Sequence, residues 1–149
     1  TVESALTQTY TNIEIIIVDN KSTDNTWGIL KELVSKDERI KIFQNEMNIG
    51  PVKNWKRCID EATGEFGKIL WSDDLIAPEF IEKTLPYLRN NDVGFVFTKA
   101  EIFYENEEIM YWEIGFTCYS IFLVTITFKG SPEKIKFIFS LTNNLLCVL

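Results

Sequence analysis

Residues 13–20 read Ile-Glu-Ile-Ile-Ile-Val-Asp-Asn, an almost continuous β-branched run that stops in two polar residues. A run that is apolar on both sides of the strand alternation predicts a strand buried on both faces, as in a parallel sheet. Lys21–Thr26 has loop chemistry, and Ser22, Thr23 and Asp24 are each suited to cap the helix that follows. Trp27, Leu30, Leu33 and Val34 recur at helical spacing, with Ile29 on the flank of that stripe. Residues 40–45 predict a second strand and 46–50 a loop. Residues 51–63 predict a helix with Pro51 in its first turn and Gly64 able to end it. Residues 65–71 form a third apolar run, which delivers Ser72, Asp73 and Asp74 into a loop. A helix opened by Pro78 and interrupted near Pro86 is expected over 77–90. Strand-like material returns over 92–105.

With a helix-like Val2–Leu6 at the start, helices and strands alternate along the chain. Alternation of this kind predicts an α/β fold, a parallel sheet with right-handed crossovers. In such sheets ligands bind beyond the carboxyl ends of the strands. Two of those ends carry acids: Asp19 after the first strand, and Asp73 with Asp74 after the third. Beyond about Tyr104 the pattern decays. Residues 1–105 are therefore read as one unit and 106–149 as an unassigned tail, hairpin or partly disordered.

A chain of 149 residues with 46% apolar and 25% charged residues has the size and composition of one soluble domain. Its net charge of -7 argues against nucleic acid or an anionic membrane as partner. A phosphorylated small ligand remains compatible, because a divalent cation can reverse the local sign. The chain has no histidine, which removes Ser-His-Asp and Cys-His nucleophilic sites and histidine-based zinc sites. Cys58, Cys118 and Cys147 are odd in number and far apart, which suggests a reducing compartment and buried thiols rather than a disulfide framework. Residues 109–128 are long enough to span a bilayer, but they hold Glu113 and are rich in aromatic and β-branched residues. They are read as strands or a disordered end, and no stable membrane span is expected. The expected location is cytoplasmic, with membrane association allowed.

Adjacent carboxylates at a strand tip repel, and a bound cation relieves that repulsion. Hard oxygen donors suit Mg²⁺ or Mn²⁺, and such ions commonly bind substrate phosphates as well. The plain alternative is that Asp74 caps the next helix and Asp73 is solvated. Asp19 has a plain alternative too, as a turn former. Lys53, Lys56 and Arg57 share one helix and could meet phosphate, or form a solvated face. Trp55 and Trp71 read as packing residues.

Three blocks, "QTYTNIEIIIVDNKSTDNT", "NIGPVKNWKRCIDEATGEF" and "ILWSDDLIAPEFIEK", together resemble family 2 glycosyltransferases of the GT-A type. They stand in that family's order and spacing over about residues 3 to 100. The resemblance implies a GT-A, Rossmann-like sheet and an inverting transfer of sugar from a nucleotide-diphosphate sugar, a UDP-sugar first among them. The acceptor would be a saccharide or a lipid-linked acceptor, as in cell-surface polysaccharide synthesis, with Mg²⁺ or Mn²⁺ as cofactor. It assigns Asp19 to the nucleobase, and Asp73 and Asp74 to the ribose and the metal-diphosphate: Asp19 and Asp73 as nucleotide-binding, Asp74 as metal-binding. The family often has Asp-Ser-Asp-Asp where this chain has Trp71-Ser72-Asp73-Asp74. The resemblance also implies a strand ahead of residue 1 and a catalytic base, usually an acid, beyond Tyr104. The chain is thus expected to be truncated at both ends and its sheet to leave an unpaired neighbour. The base itself is unassigned.

Two other readings stand beside it. A receiver-like signalling domain would use Asp19 as a metal acid, Asp73 as phosphoacceptor, and Thr98 with Lys99 as a switch pair. A degenerate binder would hold the sugar nucleotide without turnover.

Overall fold

A computed structural model describes residues 1–72, 74–90, 92–96 and 98 and the strand 135–141. The elements are α1 (Val2–Leu6), β1 (Ile13–Asp19), α2 (Thr26–Val34), β2 (Ile40–Gln44), α3 (Pro51–Glu61), β3 (Phe66–Ile69), α4 (Phe80–Leu88) and β4 (Ile135–Leu141). The strands form one sheet in the order β2-β1-β4-β3, and each pairing is parallel. This is the α/β architecture that the alternating pattern predicts.

The β1 run explains the layering. All of its residues are buried. Its alternation sends Ile13, Ile15 and Ile17 to one face, where they meet Ala5 of α1, Leu30 of α2, and Ile81 and Leu85 of α4. Ile16 and Val18 go to the other face and meet Cys58 of α3 and Ile69 of β3. Helices α1, α2 and α4 therefore cover one side of the sheet, and α3 covers the other. Each β1 side chain so enclosed contributes roughly 1.5–3 kcal/mol of apolar burial.

Glu14 interrupts that run and is nonetheless buried. Its Oε2 accepts from Lys41 Nζ at 2.7 Å, and its Oε1 accepts from the Thr63 N–H and hydroxyl at 2.7 and 2.8 Å. The bonds join β1, β2 and the exit of α3. Burial pulls the Glu14 carboxyl upward, but the bonds from Lys41 and Thr63 outweigh it and hold the group below its ordinary value.

Four details differ from the sequence expectations. Pro86 does not interrupt α4, which runs on to Leu88. It removes one N–H near the last turn, while Leu85 and Leu88 remain buried against the core. The helix begins at Phe80, two residues later than Pro78 suggests. Over 92–105, the described residues 92–96 and 98 have no strand pairing, and the others lie outside the described residues. The sheet does not leave β1 unpaired: Ile135–Leu141, from the unassigned tail, pairs along its full length.

Candidate functional site

Parallel pairing puts the carboxyl ends of all described strands along one rim. The register fixes their levels. Ile16 of β1 is level with Ile138 of β4, and Ile138 with Ile69 of β3. Asp19 lies three residues past Ile16, and Ser72 three residues past Ile69. Asp19 and the turn beyond β3 thus share the rim, with one strand between them, about 10 Å apart by ordinary strand spacing.

Asp19 is fully buried. Its Oδ1 accepts from the Ser22 N–H at 3.0 Å and the Ser22 hydroxyl at 2.5 Å. Its Oδ2 accepts from Gln44 Nε2 at 2.7 Å. The loop returns to Asp19 through Lys21, whose φ of 66° lies in the left-handed region. Asp24 then closes the loop, its Oδ1 accepting from the Thr26 N–H at 2.9 Å at the start of α2.

Asp74 follows β3 in a turn in which its N–H donates to the Trp71 carbonyl at 3.1 Å. It is not the cap of α4, because Glu79 holds that position. Asp73 lies outside the described residues. The turn and the segment after it are strapped by the chain around α1. Thr1 Oγ1 donates to the Ser72 carbonyl, Gln8 Nε2 to the Ala77 carbonyl at 2.7 Å, and the Thr9 N–H to the Pro78 carbonyl at 2.9 Å. Trp71 meets Trp55 edge to face, with centroids 5.0 Å apart and planes at 73°. The Trp55 indole N–H is buried and has no acceptor among the described residues.

Next to Asp19 lies a connected set of amides that the sequence reading did not find. Asn20, Asn45 and Asn54 are 2%, 4% and 0% exposed. Asn45 Nδ2 donates to Asn20 Oδ1 at 2.7 Å and to Asn54 Oδ1 at 2.6 Å. Asn54 Nδ2 donates to the Val18 carbonyl at 3.1 Å. Asn20 also accepts from the Ile49 N–H at 2.9 Å and donates to Asn48 Oδ1 at 2.9 Å. Arg57 Nη1 donates to Asn45 Oδ1 at 2.5 Å and to the Gln44 carbonyl at 3.0 Å. Of the three cations on α3, Arg57 therefore serves the strand ends. Lys53 and Lys56 are exposed, and Lys56 pairs with Asp60 at 2.6 Å. One signal was available in the sequence: Asn54 stands four residues before Cys58, on the apolar face of its helix.

The donor chemistry admits a small divalent ion. Among the described residues no group of three or more Cys, Asp or Glu side chains gathers as a ligand cage. Mg²⁺ does not require one, since one or two carboxylates with substrate phosphates and water suffice. Asp74 brings one carboxylate to that smaller demand, and Asp73 lies outside the described residues.

A family model described as glycosyl transferase family 2 matches residues 1–144. The chain belongs to that family. Its fold is accordingly of the GT-A type. The chain is 38% identical over 88 residues, 59% of its length, to an uncharacterised glycosyltransferase of Haemophilus influenzae, of which the match covers 35%. It is 38% identical over 102 residues to the Escherichia coli UDP-Glc:alpha-D-GlcNAc-diphosphoundecaprenol beta-1,3-glucosyltransferase WfaP, covering 68% of this chain and 40% of that protein. It is 36% identical over 98 residues to the putative teichuronic acid biosynthesis glycosyltransferase TuaG of Bacillus subtilis, covering 66% of this chain and 39% of that one. The match thus spans between 35% and 40% of these relatives.

Membership of glycosyl transferase family 2 sets aside the receiver-like reading. Of its switch pair, Thr98 has no strand pairing and Lys99 lies outside the described residues. Among the described residues no helix is long and apolar enough to cross a membrane, and residues 109–128 lie outside them.

Proposed function

We propose that this chain carries the donor half of a glycosyltransferase that moves a sugar from a nucleotide-diphosphate sugar, with inversion, to a saccharide or lipid-linked acceptor. Residues 1–105 hold the donor. In this reading Asp19 takes the nucleobase, Asp73 the ribose, and Asp74 a Mg²⁺ or Mn²⁺ ion at the diphosphate. The observation that carries it is the shared rim: Asp19 and the turn bearing Asp74 stand one strand apart at the carboxyl edge of a parallel sheet. About 10 Å suits a nucleoside diphosphate laid along that edge. The Escherichia coli relative, named for a UDP-glucose donor and a diphosphoundecaprenol-linked acceptor, supports a UDP-sugar and a lipid-linked acceptor.

The chemistry asked of the chain is mainly positioning. An acceptor hydroxyl oxygen bonds to the anomeric carbon as its proton passes to a base, an acid expected beyond Tyr104, while the bond to the diphosphate oxygen breaks and the diphosphate leaves with the electron pair. Asp19 fixes one end of the donor, and the Trp71–Asp74 turn the other. When bound, the divalent ion supplies charge neutralisation at the diphosphate.

The test is thermal unfolding with UDP and Mn²⁺ together and separately. A ligand at a hundred times its dissociation constant adds about 2.7 kcal/mol to a folded state that alone binds it. A rise in melting temperature that needs both components, and that Asp74→Asn or Asp73→Asn abolishes, is the expected result. No shift with any UDP and metal combination overturns the reading.

A further inference from the structure

Resting on the assignment of Asp74 to the metal-diphosphate, we infer that Gln8 is a positioning residue for that site. Its side-chain amide fixes the segment that joins Asp74 to α4, and so sets where Asp74 stands.

Residues 74–77 belong to no helix or strand. Such a segment keeps one conformation only where other groups hold it, because ordering a backbone costs conformational entropy. Its near end is tied by the Asp74 N–H, which donates to the Trp71 carbonyl at 3.1 Å. Its far end is tied by Gln8, which stands just past α1 and is 4% exposed. Gln8 Nε2 donates to the Ala77 carbonyl at 2.7 Å and to the Ser4 carbonyl at 3.0 Å. Gln8 Oε1 accepts from the Ile81 N–H at 3.1 Å.

The bond to Ile81 anchors the start of α4. The first N–H groups of a helix have no partner inside it. Glu79, at the cap position, makes no side-chain cap bond among the described residues. Gln8 answers the Ile81 N–H from a different element, while its other end holds a carbonyl three residues past Asp74. One planar amide thus fixes the start of α4 and the end of the 74–77 segment relative to each other. Two ties run alongside it: the Ile76 N–H donates to Ser4 Oγ at 3.4 Å, and the Thr9 N–H to the Pro78 carbonyl at 2.9 Å. Gln8 differs from Ser4 and Thr9 in being buried and in serving both sides, so water does not stand in for it. The task needs a donor and an acceptor on one terminal group. An ionised Glu has no donor, and Met offers no donor and only a weak acceptor.

The test is Mn²⁺ binding to the intact chain at saturating uridine 5′-diphosphate, read from the electron paramagnetic resonance of free Mn²⁺ well below each variant's melting temperature. Gln8→Met keeps the length of the side chain and removes the three bonds. It is expected to raise the Mn²⁺ dissociation constant about tenfold, as loss of a group that orients a metal ligand does. Glu14→Gln loosens the opposite, amino-terminal edge of the sheet and is expected to keep the parent's Mn²⁺ affinity. If Gln8→Met does not fold, Gln8→Glu takes its place. It keeps an acceptor for the Ile81 N–H, puts an anion where a helix N-terminus favours one, and releases the Ala77 carbonyl. The same weakening is expected of it, and circular dichroism checks the fold of each variant. Parent-like Mn²⁺ affinity in the folded Gln8 variant, or an equal loss in Glu14→Gln, overturns the inference alone. Failure of the parent to bind Mn²⁺ with the nucleotide overturns the donor-site reading and the inference with it.

Discussion

Asn45 donates its side-chain N–H to Asn54 Oδ1 at 2.6 Å, which joins the residue after β2 to the buried face of α3. Asn54 in turn donates to the Val18 carbonyl. Replacing Asn54 by Ala leaves an Asn45 N–H and the Val18 carbonyl each short of a partner inside the protein. A loss of about 2–3 kcal/mol is expected, since each buried group left unmade costs about 1–3 kcal/mol. Urea unfolding with an unchanged slope measures it.

Glu14 gives the chain an acid-sensitive joint. Its carboxyl lies below its ordinary value of 4.5 in the folded chain. A depressed carboxyl adds stability that is fully present above the ordinary value and is lost as pH falls through the lower folded value. Glu14→Gln is therefore expected to lower stability at neutral pH and to flatten the decline below pH 4.5. The gap between parent and variant should narrow in acid. A gap that stays constant across that range excludes the mechanism.

Lys21 stands in a backbone region that costs an L residue roughly 1–2 kcal/mol. Glycine takes that conformation without the clash, but adds entropy to the unfolded chain. Lys21→Gly is expected to raise stability by up to about 1 kcal/mol. Thermal melts compare the two, and a clear loss would refute the strain.

Trp71 stands where many relatives are expected to have an acid. Its ring packs against the cluster of Ile16, Val18, Cys58 and Ile69. Trp71→Asp is expected to cost at least about 3 kcal/mol, because it trades an aromatic contact for a charge facing apolar groups. Trp55→Phe is expected to stay within about 1 kcal/mol of the parent, since the indole N–H it removes has no acceptor among the described residues. Denaturant titration of both variants checks the contrast.

The parts of the fold that declare themselves locally were legible. The β1 run is buried on both faces, so it reads as a core strand without any knowledge of its neighbours. Asp19 was legible as a strand tip, and the register brings the turn beyond β3 near its level, while Asp73 lies outside the described residues. The amide network was not. Asn20, Asn45 and Asn48 look like ordinary strand-end and loop residues in sequence, because partners 25 and 28 residues apart are invisible to local pattern. Arg57 was grouped with Lys53 and Lys56 by spacing alone, whereas the side-chain reach that turns it inward is a tertiary property. The apolar residues 135–141 have no period that distinguishes a strand, and their place depends on β1 and β3 far upstream.

That last strand has a consequence for synthesis. β4 sits between β1 and β3, so the middle of the sheet stays open until residues 135–141 have left the ribosome. At ordinary elongation rates the wait after β3 is on the order of seconds. During it β1 presents a greasy, unbonded flank that another nascent copy can pair with. The pace of translation through the intervening codons is therefore expected to affect how much of the chain folds before it associates.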